Sequence, residues 1–216
     1  MIISKLKLSN ADIEKKANTD LENFSLKTGK DVEFPLYPEE IAKALWGIEV
    51  DYRDDLEDEV LGLFNSERQV VLINTSQNKL RGRLSFTIAH ELGHVSLHGF
   101  LFNEKDKKKL SSINKCPRWL DDQADTYASC VLMPKEIMNK KLLEIGAIKD
   151  SVVNLKVHSR ELIKFFGVSN QALEIRLSSL GLKIIGGLYD QNQNRNTERL
   201  LDELEGDREA RILKKR

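Results

Sequence analysis

Two histidines four residues apart, His90 and His94, stand in the stretch FTIAHELGHVSLH, Phe86 to His98. On an α-helix, positions i and i+4 share a face, so both imidazoles can aim a ring nitrogen at one point. Glu91 lies one residue round from His90, close enough to meet a water held at that point without ligating the metal. This is the mechanical content of HExxH, the pattern of zinc-assisted hydrolysis with a carboxylate base. The bland alternative is a pair of histidines satisfied in a core or on a surface, which a five-residue motif alone does not exclude.

A catalytic zinc site needs a third protein ligand and one open position. His98 continues the i, i+4, i+8 series, but at 1.5 Å per residue it lies about 12 Å along the axis from His90, too far for one straight helix to wrap. The spacing in which a third histidine follows six residues past the second also fails, because that position is Phe100. The later stretch WLDDQADTYASCVLMP, 119 to 134, supplies Asp121, Asp122 and Asp125. Asp121 and Asp125 are again four apart, so one can ligate the metal while the other accepts the free N–H of a ligand histidine and fixes its tautomer. Acidic residues near a helix start also interact favourably with the helix dipole, which accounts for Asp122.

The elements that must position these groups follow from periodicity and punctuation. Residues 9 to 29 read as a helix with Ser9 or Asn10 as cap, an apolar stripe of Ile13, Ala17, Leu21 and Phe24, and Gly29 as its end. YPEEIAKALWG reads as a second helix, opened by Pro38 and stopped by Gly47. IEVDY, VLGLF and QVVLIN read as strands of a small antiparallel sheet. The chain from 80 to 99 turns helical in its second half. Residues 103 to 118 read as a polar excursion that would border the cleft, and 119 to 134 as a helix limited by Pro134. Two or three helices then run to about Leu182, and LKIIGGLY suggests a short strand with a glycine break.

The chain has 216 residues, 40% hydrophobic, with 34 basic and 34 acidic side chains. It can bury a core, and a net charge of zero argues against a whole-molecule pull toward nucleic acid or an anionic membrane. Cys116 and Cys130 suggest no disulfide framework. No run approaches a spanning helix or a signal peptide, so the expectation is a cytoplasmic protein with reduced thiols.

Taken together, RLSFTIAHELGHVSLH and WLDDQADTYASCVLMP resemble the paired motifs of the ImmA/IrrE family of zinc metallopeptidases. EEIAKALWGIEVDY resembles the opening of that domain, VVLIN its strand before the active-site helix, and ELIKFFGVSNQALEIRLSSLGL the helical segment that follows. The resemblance covers residues 10 to 183. It implies His90, His94 and Asp121 as zinc ligands, with manganese as an alternative metal, Glu91 as the catalytic base and Asp125 as a neighbour of the ligands. It also implies a substrate, a helix-turn-helix transcriptional repressor encoded nearby, cut in a stress response or a mobile-element switch. The family usually carries Glu where Asp121 stands, and Asp is one methylene shorter. Either the second helix sits closer, or the metal is held more weakly, or Asp122 shares the task.

The expected fold is α+β: a mostly helical zincin-like core with a small antiparallel sheet and a C-terminal helical segment. The organisation reads as an N-terminal helix (1–34), the metallopeptidase core (35–148), a helix-turn-helix-like segment (149–188) and a charged tail (189–216). In that third segment Gly167 would make the turn, Ser169 would cap a second helix, and Asn170 and Gln171 would be the base contacts if it read DNA. Five Lys/Arg against two acidic residues between Lys156 and Lys183 is a modest surplus for gripping phosphates, so direct DNA binding is not expected. A third reading is a zinc-stabilised module without chemistry, but a structural site has no need of a base beside its ligand.

Overall fold

Residues 7–99 and 118–186 are described by a computed structural model. The 103–118 excursion, apart from Arg118, and the charged tail lie outside them. The described residues fall into two compact units: Met1–Val32, Tyr37–Asn78 and Phe86–Val131 form one, and Glu33–Leu36, Lys79–Ser85 and Leu132–Arg216 the other. Among the described residues no helix is long and apolar enough to cross a membrane.

Helix α1 (Asn10–Thr28) opens the first unit as the sequence predicts. The Ser9 hydroxyl accepts from the Asp12 N–H while Asp12 accepts from the Ser9 N–H, a capping box, and Gly29 closes the helix in the left-handed conformation. Helix α2 (Pro38–Ile41) has proline in its first turn and continues through a π-helical turn, Ala42–Trp46, to Gly47.

Three strands follow: β1 (Glu49–Arg53), β2 (Gly62–Asn65) and β3 (Val70–Asn74). Their spatial order is β1-β3-β2, with β3 parallel to β1 and antiparallel to β2. The sheet is therefore mixed, not antiparallel throughout as expected. The reason is physical: β3 carries the apolar run, burying Val71 and Ile73 completely, so it takes the centre. The largely exposed, charged β1 is left at one edge, where unpaired backbone is tolerated beside polar side chains.

Helix α3 (Arg81–His98) carries HELGH, and helix α4 (Arg118–Leu132) carries the acidic motif. Gly93 faces Ala124 so closely that a Cβ on it would lie 2.9 Å from Ala124 Cα and 3.0 Å from its carbonyl oxygen. The two helices touch backbone to backbone. Asp20 of α1 ties both of them down. Its buried carboxylate accepts from Tyr127 on α4 at 2.8 Å, from Ser96 on α3, and from Lys16 one turn earlier.

Replacing Tyr127 by Phe removes one charge-assisted bond from this buried group. We expect a stability loss of about 1.5–3 kcal/mol, read from the midpoint of a denaturant titration. An unchanged midpoint would show that Asp20 is satisfied without the phenol.

The second unit holds α5 (Lys135–Glu144), α6 (Leu155–Phe166) and α7 (Asn170–Ser179), three helices where two or three were expected. Between and after them lies a second three-stranded sheet of β4 (Ile148–Lys149), β5 (Val152–Asn154) and β6 (Lys183–Ile185). Only β6 was foreseen. Gly167 turns in the left-handed conformation between α6 and α7, and the Ser169 hydroxyl caps α7 by accepting from the Ala172 N–H. The described protein is thus mixed α+β, mostly helical, with two small sheets.

Candidate metal centre

The apolar residues of α3, Ile88, Ala89 and Leu92, are fully buried, and that burial fixes which way the rest of the helix faces. His90 and His94 consequently point together, their Nε2 atoms 3.2 Å apart. Asp121 of α4 brings Oδ1 to 3.4 Å from His94 Nε2. Donor atoms of His90, His94 and Asp121 all lie within 4.8 Å of one another. Two nitrogens and one carboxylate oxygen converging in this way could hold a metal ion. The side chains fit a divalent metal ion without saying which.

Asp122 is not one of the three converging groups. It turns toward Arg118, 4.0 Å away, and its carbonyl accepts from the Thr126 hydroxyl. The close approach of α3 and α4 at Gly93 bears on the first of the three readings of the shorter Asp121, that the second helix sits closer.

Asp125 Oδ1 accepts from His90 Nδ1 at 2.7 Å. A carboxylate only accepts, so this bond puts the His90 proton on Nδ1 and leaves Nε2 free. Burial pulls the His90 imidazole down in pKa, but the Asp125 bond and the charges of Glu91, Asp125 and Asp121 outweigh it, so its pKa is raised. Burial, with the neighbouring His90 and His98, pushes His94 down to about 3. His94 is therefore neutral at physiological pH, the form a ligand needs. We expect Asp125→Ala to weaken zinc binding by about 10–100-fold, measured by competition with a chromophoric chelator. A change smaller than twofold would deny Asp125 this part.

Glu91 is buried, and burial raises its carboxyl pKa against the opposing pull of His90 and the Phe64 N–H. Its Oε2 accepts from the backbone N–H of Phe64 on β2 at 3.0 Å. One oxygen is thereby held and the other left to act. Gly62, two residues earlier on the strand, makes room: a Cβ there would lie 2.8 Å from Thr87 Cγ2 and 3.2 Å from Glu91 Oε1. The role of β2 in seating Glu91 was not legible in the sequence, although a glycine inside a strand is a known sign of close approach.

Two other polar side chains of α3 and α4 are held by their own partners. Tyr127 is fully buried with its hydroxyl on Asp20, and its pKa is driven well above the usual by burial and by that carboxylate. His98 is also buried, hydrogen-bonded to Gln123, with burial lowering its pKa. Cys130 is a buried thiol.

Residues 46–178, more than half of the chain, match the IrrE N-terminal-like domain. The chain belongs to this family and carries its metallopeptidase domain. Among solved structures, a Mycobacterium tuberculosis transcriptional regulator matches with a TM-score of 0.53 and 17% identity, over 85% of this chain and 49% of that one. The chain spans about half the length of that protein, and the likeness is one of fold. No curated protein matches the sequence.

Proposed function

We propose that this protein is a zinc-dependent metalloendopeptidase of the cytoplasm that cleaves a helix-turn-helix transcriptional repressor. The observation that carries this reading is a buried carboxylate, Glu91, seated beside three converging donors on two helices in backbone contact. His90, His94 and Asp121 would hold the ion, with manganese a second candidate for the same N,N,O set. A bound divalent ion would polarise the scissile carbonyl and lower the pKa of water at the site. Glu91 takes the proton of the attacking water on the oxygen that Phe64 does not hold, then returns it to the leaving amine. A raised carboxyl pKa suits both halves of that exchange, because the group must accept a proton and release it at similar pH.

The repressor substrate rests on resemblance to the family, and the fold shared with a transcriptional regulator supports a regulatory setting. The test is incubation of the purified protein with the helix-turn-helix repressor encoded nearest its gene, with zinc or with a chelator, followed by mass spectrometry. A discrete fragment with zinc and none with chelator is the expected result. An intact repressor under both conditions, with zinc demonstrably bound, would favour a non-catalytic metal-binding module.

The rival DNA-binding reading loses one of its contacts. Asn170, the first residue of α7, is buried, which leaves Gln171 alone exposed at that helix start. Together with the modest charge surplus, this favours a supporting role for α6 and α7.

A further inference from the structure

Hydrolysis as described gives no part to His98 or Gln123, yet both are buried beside the site in the first unit. Gln123 turns its Nε2 toward the backbone carbonyl of Leu8, 3.4 Å away. A carbonyl oxygen only accepts, so the amide presents its NH2 there and its Oε1 on the other side. That Oε1 lies 3.0 Å from His98 Nε2. An amide oxygen also only accepts, so His98 carries its proton on Nε2 and a lone pair on Nδ1.

His98 Nδ1 stands 3.1 Å from His94 Nδ1. Two lone pairs do not bond, so His94 holds its proton on Nδ1 and donates it to His98. What remains on His94 is the Nε2 lone pair, on the atom that faces Asp121 and His90. The polarity is set from the Leu8 carbonyl, which cannot donate, and it leaves His94 Nε2, His90 Nε2 and Asp121 Oδ1 as three acceptors facing one another, an arrangement that a cation between them would satisfy. The reverse polarity would put a proton on His94 Nε2, pointing at the place a cation must occupy.

We propose that His98 and Gln123 are positioning residues that hold His94 in its Nδ1–H tautomer and so present Nε2 to a divalent cation. The inference rests on the metal-site reading above. His90 reaches the same state through the half-exposed carboxylate of Asp125. His94 reaches it through a buried, uncharged chain that ends on the backbone near the start of α1. The two ligands are thus set by partners of different kind, and only the second ties a ligand tautomer to the N-terminal helix.

Long-range 1H–15N correlation spectra of the full-length, metal-free protein read the tautomers directly and need no variant to fold. The expected result is a protonated Nδ1 and bare Nε2 on His94, with the opposite on His98. A proton on His94 Nε2 overturns the proposal. Zinc affinities by chelator competition give the second readout. His98→Phe and Gln123→Leu are each expected to bind about 10–100-fold more weakly than the unmutated protein. Gln123→Glu keeps an acceptor facing His98 and should stay close to the unmutated affinity. Equal affinity in all four proteins overturns the proposal, and so does a Gln123→Glu loss as large as that of Gln123→Leu. If the unmutated protein binds no zinc, the metal-site reading fails, while the metal-free spectrum still decides the tautomer.

Discussion

Glu91→Gln is expected to lower repressor cleavage by about 10²–10⁴-fold, the usual share of a general base, and to leave zinc affinity close to that of the unmutated protein. The substitution is nearly isosteric. A glutamine Oε1 can still accept from the Phe64 N–H that now meets Glu91 Oε2, so the side chain should keep its seat. It also relieves a buried, negatively charged group, so stability should hold or rise slightly. What it cannot do is accept a proton at physiological pH. The readouts are fragment formation by mass spectrometry and zinc content of the same preparations. Loss of cleavage together with zinc would mean that the change disturbed the site. Cleavage at an undiminished rate would remove Glu91 from the chemistry and move the base elsewhere.

Some parts of this molecule were legible in its sequence because each rested on a local rule. Ser9 and Gly29 bound α1 through a capping box and a left-handed turn, Pro38 and Gly47 frame the next helix, and Gly167 with Ser169 makes the α6–α7 turn. The convergence of His90, His94 and Asp121 follows from spacing and from family resemblance, and the fold brings the three together. Strand pairing was not legible. Consecutive strands suggested an antiparallel meander, but β3 inserts between β1 and β2, and pairing order depends on contacts that no local pattern encodes. Strands β4 and β5, of two and three residues, are too short to show a period.

The polar interior was the other omission. Asp20 sits one residue before Leu21 in the apolar stripe of α1, and its burial against Tyr127 and Ser96 is a tertiary fact. Helix geometry excludes His98 as a third ligand, because it lies about 12 Å along the axis from His90. The same four-residue spacing that excluded it from the ion places it against His94, and that neighbouring role is the one the structure supports. A helix spacing that rules out one function can therefore point to another on the same face.

Gly93 is the position at which fold and site are most tightly coupled, and its substitution should show both effects. Within an isolated helix, Ala is preferred to Gly by about 1 kcal/mol. Here the added Cβ meets the Cα and carbonyl oxygen of Ala124 at 2.9 and 3.0 Å, and its Cβ at 3.2 Å. Two of those atoms are backbone and cannot rotate away, so α3 and α4 must separate. Overpacking of this kind costs about 1–3 kcal/mol, which meets or exceeds the helix gain. Gly93→Ala should therefore be neutral to destabilising by about 2 kcal/mol, and Gly93→Val, which adds β-branching, more so. The larger effect is expected at the metal. Asp121 meets the histidines across this helix contact, so separating the helices by tenths of an ångström should lower zinc affinity at least as far as loss of Asp125 does. The decisive comparison is a double variant. Asp121→Glu adds the methylene that a wider gap requires, and in the Gly93→Ala background it should recover part of the lost affinity, although in the unmutated background it crowds the site. Such a sign change between backgrounds is the signature of coupled positions. Independent effects of the two substitutions on zinc affinity would mean that the helix spacing does not set the reach of Asp121.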